Sequence, residues 1–70
     1  MFKVTSSKGT GEFETAEDFG EWLEEMQPSH VTVEVDGIEL DERDLAAAGA
    51  EVDGVWDAAA AATAVRRALA

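Results

Sequence analysis

Sixteen Asp and Glu side chains and one His are the groups of this 70-residue sequence able to move protons or hold cations. Five of them, Glu17, Asp18, Glu21, Glu24 and Glu25, follow one another with no base between. A general acid and base pair needs carboxyl groups in unequal surroundings, because burial or neighbouring charge must separate their proton affinities. Carboxylates spread along an open face in water have neither. The stretch Asp36-Gly37-Ile38-Glu39-Leu40-Asp41-Glu42 is rich in oxygen ligands but lacks the D-x-[DN]-x-[DN]-G order of a calcium loop. Cysteine is absent, which removes thiolate metal sites and disulfides. No dedicated metal site and no cofactor are expected.

Nucleophilic catalysis requires a nucleophile, a base within reach and a group that orients the base. The sequence holds no Cys and no Tyr, and its one histidine, His30, follows Pro28-Ser29, where a solvated or capping role is the simplest reading. Ser6, Ser7 and Ser29 have no catalytic motif around them. Gly9 and Gly11 open no helix, and Gly49 and Gly54 are not followed by the G-K-[ST] of a phosphate loop. The residue types therefore argue against an enzyme.

What remains is charge itself. All sixteen acids lie between Glu12 and Asp57, where the single base is Arg43, while Lys3, Lys8, Arg66 and Arg67 flank that span and leave a net charge of −11. A field of that sign repels nucleic acid, anionic lipid and acidic substrates and attracts basic surfaces. Direct nucleic-acid binding is not expected on these grounds. No apolar run is long enough to cross a bilayer and no leader pattern is present, so a soluble, unprocessed, cytoplasmic protein is expected.

The acidic row must be carried by a helix. At 100° per residue, Ala16, Phe19, Trp22, Leu23 and Met26 cluster within about 60° of Phe19, and the five carboxylates occupy the opposite arc. Thr15 is a suitable N-cap, with Asp18 three residues on, and Pro28 ends the helix. Gly20 inside it costs about 1 kcal/mol relative to Ala. Close packing against a neighbouring element explains its presence, with close approach of a partner backbone as the functional alternative.

Strands are read from alternation. Phe2 to Ser7 alternates apolar and polar residues, and a Lys8-Gly9 loop would set Ser7 opposite Thr10 and Val4 opposite Phe13. His30 to Val35 is the strongest strand signal, and Asp36-Gly37 predicts a type I′ hairpin with Val35 opposite Ile38, Val33 opposite Leu40 and Glu34 facing Glu39. Facing carboxylates destabilise a ladder, so a neighbouring Lys3 or a basic partner is expected to compensate. Asp41 or Asp44 caps a short helix through Leu45 to Ala48, ending at Gly49. The last helix is expected to run from Val55 to Leu69 with its start at Asp53 or Gly54, in preference to a second Asp-Gly hairpin over Val52 to Trp56.

These elements predict one α+β domain spanning residues 1–70, in the order β-β-α-β-β-α-α. About four antiparallel strands in spatial order 2-1-3-4 carry the helices on one face. The other face is open and acidic through Glu12, Glu14, Glu34 and Glu39. Without staples, stability rests on the apolar set, here taken to include Met26, Ile38, Val52 and Val55 beside Phe19 and Leu23.

Two functional expectations follow. The first is a non-enzymatic acidic module that binds a basic protein surface, with Glu17, Asp18, Glu21, Glu24 and Glu25 as the main patch and Glu34, Asp36 and Glu39 as a second. Carboxylate rows on a small rigid body occupy the lysines and arginines that hold a nucleic-acid backbone, which is the logic of DNA-mimic inhibitors and of small phage anti-defence proteins. The second is a small assembly protein, a homodimer through the alanine-rich C-terminal helix or a strand edge, whose acidity reflects a halophilic or GC-rich source.

Overall fold

The computed structural model describes residues 1–69. Strands β1 (Phe2–Ser6) and β2 (Gly9–Phe13) form the first hairpin, followed by helix α1 (Ala16–Met26). A second hairpin joins β3 (Thr32–Val35) to β4 (Ile38–Asp41), and helix α2 (Glu42–Ala47) follows. A short hairpin of β5 (Glu51–Val52) and β6 (Val55–Trp56) leads into helix α3 (Ala58–Leu69). The main sheet is antiparallel with order β2-β1-β3-β4, as the sequence predicts.

Pairing divides the sheet into two faces. Phe2, Val4, Val33 and Val35 are buried beneath the helices, while Lys3, Thr5, Glu12, Glu34 and Glu39 are exposed on the other side. One cross-strand row of the open face reads Glu12, Lys3, Glu34, Glu39, and the next reads Thr10, Thr5, Thr32, Asp41. Lys3 thus stands in register between two glutamates, and Glu34 still faces Glu39 across β3 and β4 as expected. The β3–β4 turn has Asp36 at φ 51° and Gly37 at φ 79°, the pair of positive angles that a type I′ turn requires.

The first hairpin differs from its expected register by two residues. Ser6 faces Gly9, Val4 faces Gly11 and Phe2 faces Phe13, with Ser7-Lys8 as the loop. Ser6 Oγ donates to the Gly9 carbonyl and accepts from the Lys8 N–H, both at 3.1 Å, which closes the turn one residue early. Ser7 is then free to join the loop before β3. Its N–H donates to the Ser29 carbonyl, and its Oγ accepts from the Ser29 N–H, each at 2.9 Å. A shift of two residues keeps every side chain on its expected face.

Helix α1 begins where Thr15 Oγ1 accepts from the Asp18 N–H at 3.1 Å. It ends at Gln27, which is left-handed at φ 44° and donates its N–H to the Leu23 carbonyl at 2.8 Å. In α2, Asp41 and Asp44 each accept the other's backbone N–H, a reciprocal capping box. Phe19 and Leu23 are fully buried at the centre of the core, with Phe2 stacked on Phe19 at a centroid distance of 6.0 Å.

The helix expected to start at Asp53 or Gly54 does not. Asp53 and Gly54 both take positive φ, at 54° and 81°, and form the turn of the β5–β6 hairpin instead. Trp56 is the cause. Its N–H donates to Gln27 Oε1 and its carbonyl accepts from Gln27 Nε2, each at 2.9 Å, and its indole Nε1 donates to the Pro28 carbonyl at 2.8 Å. These bonds hold residue 56 extended, so the helix start moves to Asp57, whose Oδ2 accepts from the Ala60 N–H at 2.9 Å. Val52 and Val55, expected in the core, flank this turn and are about half exposed. Met26 at the end of α1 and Ile38 beside the β3–β4 turn are likewise too close to chain reversals to be covered.

Helices α1 and α3 lie against each other with Gly20 at the contact. A Cβ at Gly20 would stand 2.4 Å from the Ala58 carbonyl oxygen, so this glycine is explained by close packing within the chain.

Candidate acidic binding surface

All five carboxylates of the α1 row are exposed, but they do not form one uniform surface. Glu17 forms an ion pair with Arg66 of α3, the only ion pair among the described residues. Glu24 Oε2 accepts from the Ala58 N–H at 2.8 Å and supplies a carboxylate to the first turn of α3, where the helix dipole favours negative charge. Two of the five are therefore engaged by α3.

The other three turn towards β2. Asp18, Glu21 and Glu25, at helical spacing i, i+3 and i+7, form one wall of a shallow groove of about 450 Å³. Glu12 and Glu14, at the end of β2 and just beyond it, border the groove along the sheet edge, Glu12 from the open face of the sheet. Phe13 and Trp22 lie in the groove, half-buried, with ring centroids 5.7 Å apart and planes inclined by 45°. Phe13 also contacts Phe19 at 6.2 Å, so the floor of the groove continues into the core. The carboxylates around the rings accept no hydrogen bond and form no ion pair among the described residues.

An arginine or lysine side chain presents an apolar stem and a charged head, which match aromatic rings flanked by carboxylates. A nucleic-acid phosphate or an acidic peptide would meet five like charges. Among the described residues no group of three or more His, Asp or Glu side chains converges as metal ligands do.

The second predicted patch lies elsewhere. Glu34 and Glu39 are on the open face of the sheet and Asp36 is in the β3–β4 turn, whereas α1 packs on the other face. The fold thus keeps the two expected patches apart, and it brings Glu12 and Glu14, expected on the open sheet face, to the edge of the groove beside the α1 row. The link was not readable from periodicity, because it depends on α1 packing beside β2. In the alanine-rich C-terminal helix, expected as one possible self-association surface, Ala61, Ala62 and Ala64 are buried against the rest of the chain. His30 is exposed and left-handed at φ 55°, and with Arg43 it borders a separate shallow depression.

Compared with protein-family models, curated proteins and solved structures, the chain matches none. No helix among the described residues is long and apolar enough to cross a membrane.

Proposed function

We propose that this protein is a non-enzymatic binding module that occupies a positively charged surface of another protein, in the manner of a DNA mimic. The observation that carries this reading is the groove in which Asp18, Glu21 and Glu25 stand beside Phe13 and Trp22, with Glu12 and Glu14 along its β2 edge and none of the five in an ion pair among the described residues. Carboxylates two residues apart at the end of a strand are spaced by about 6.6 Å, and those three or four apart on a helix by about 4.5 to 6 Å of rise. Phosphates repeat about every 3.4 Å along the axis of one DNA strand, so each carboxylate stands for roughly every second phosphate. Two acidic rows along one groove offer a basic surface the charge pattern it meets on a duplex. The net charge of −11 adds long-range attraction to basic partners. Inhibition of a nucleic-acid enzyme, as in phage anti-defence, is the biological setting this chemistry suits, with the cytoplasm as the place of action.

Competition tests this reading. The protein is immobilised, a bacterial lysate is passed over it at low salt, and bound proteins are eluted by a salt gradient and identified by mass spectrometry. The recovered partner is then assayed for duplex DNA binding with and without this protein. Loss of DNA binding on addition is the expected result. A partner that keeps its DNA affinity while complexed would remove mimicry from the account.

A further inference from the structure

The acidic groove runs beside an open strand edge. Among the described residues, strand β2 pairs only with β1, at one end of the four-stranded sheet. In the β1–β2 ladder Gly9, Gly11 and Phe13 exchange hydrogen bonds with Ser6, Val4 and Phe2, as the two-residue loop dictates, and antiparallel strands alternate such pairs. The N–H and C=O groups of Thr10 and Glu12 therefore point away from the sheet. The opposite edge is less available, because the Asp41 N–H of β4 is already bonded to Asp44 Oδ2 at 3.1 Å. Natural sheets guard free edges with charged side chains, proline or bulges, and the five-residue β2 carries only the Glu12 carboxylate, which repels an acidic strand and not a basic one.

We propose that β2 receives an extended basic segment of the partner protein as an added fifth strand. The inference rests on the reading above for the sign of the partner's charge and adds how it is held. A strand laid along β2 bonds to the backbone of Thr10 and Glu12 and sends alternate side chains to opposite faces. On the α1 side, the residue opposite Phe13 enters the groove over Phe13 and Trp22, within reach of Glu21 and Glu25. On the open side, the residue opposite Glu12 meets its carboxylate. Gly9 and Gly11 leave the edge uncrowded, and the Phe13 ring already covers Gly11, where an added Cβ would stand 3.2 Å from ring carbons. Charge selects the occupant: alternate arginine or lysine satisfies these carboxylates, and a second copy of this chain would bring its own acids to them.

The test uses the intact protein and a capped nonapeptide of alternating arginine and threonine. Amide hydrogen exchange is followed by NMR with the peptide at saturation, which is judged from the shift of the Trp22 indole N–H. The Thr10 and Glu12 amides are expected to exchange at least about tenfold more slowly in the complex. A Thr10→Pro variant keeps the charge and the β1 pairing but removes one outward donor, and is expected to bind the peptide about tenfold more weakly. Saturation without protection of those two amides would overturn strand addition and leave the basic-partner reading intact, since contact would then be through side chains alone. Failure of the peptide to bind overturns strand addition as well, while capture of a basic partner from lysate decides the broader reading separately.

Discussion

Glu24 reaches from α1 to the first amide of α3, accepting the Ala58 N–H at 2.8 Å, so one member of the acidic row is a structural cap. Its neighbour Glu25 belongs to the groove and has no such bond. Glu24→Ala is expected to lower stability by about 1 kcal/mol, the usual effect of losing a capping acceptor. Glu25→Ala should stay within about 0.5 kcal/mol of the parent. Urea denaturation of the two variants side by side checks the contrast.

Gly20 faces the same residue from the packing side. Replacement by Ala gains about 1 kcal/mol of helix propensity in isolation, yet the new Cβ would overlap the Ala58 carbonyl oxygen at 2.4 Å. That atom is backbone at the start of a helix anchored by Glu24 and Asp57, so it cannot yield without disturbing both bonds. Overpacking costs typically about 1 to 3 kcal/mol, and Gly20→Ala is expected to be net destabilising by about 1 to 2 kcal/mol. A rise in melting temperature would contradict the packing account.

Gln27 clamps the backbone of Trp56 through both atoms of its amide. Gln27→Ala removes both bonds while keeping a side chain at φ 44°, and should destabilise by about 2 kcal/mol. Gln27→Gly loses the same bonds but relieves the left-handed backbone, so it should be the milder of the two. Thermal unfolding followed by near-ultraviolet circular dichroism ranks them.

The row Glu12, Lys3, Glu34, Glu39 holds one base among three acids, with Glu34 and Glu39 directly opposed. Glu39→Lys makes the signs alternate across all four strands and is expected to stabilise by about 0.5 to 1 kcal/mol. The gain should shrink as salt is raised, because these side chains are exposed. Denaturation at two ionic strengths measures both effects.

Strand order, the Asp36-Gly37 turn and the facing Glu34 and Glu39 were legible because each depends on local alternation and turn chemistry. So was the two-faced character of α1, from Thr15 to Met26. The β5–β6 hairpin was legible in Asp53-Gly54 only as the less favoured alternative to a helix. Local propensity favours a helix through Val55 and Trp56, and the hydrogen bonds that override it come from Gln27 and Pro28, almost thirty positions earlier in the chain. The division of the acidic row was hidden for the same reason. Nothing in the spacing of Glu17, Glu21, Glu24 and Glu25 reveals that α3 takes the first and third of them and leaves the others beside Phe13 and Trp22.

The most direct measurement of the central claim compares capture from one lysate by the parent protein and by the double variant Glu21→Gln, Glu25→Gln across a series of salt concentrations. Both carboxylates border the groove and neither holds another element, so the fold should survive the exchange. The account predicts a basic partner retained by the parent at low salt, released as salt rises, and held much less by the variant. Equal retention of that partner by both proteins would show that the groove is not the binding surface and would contradict the account.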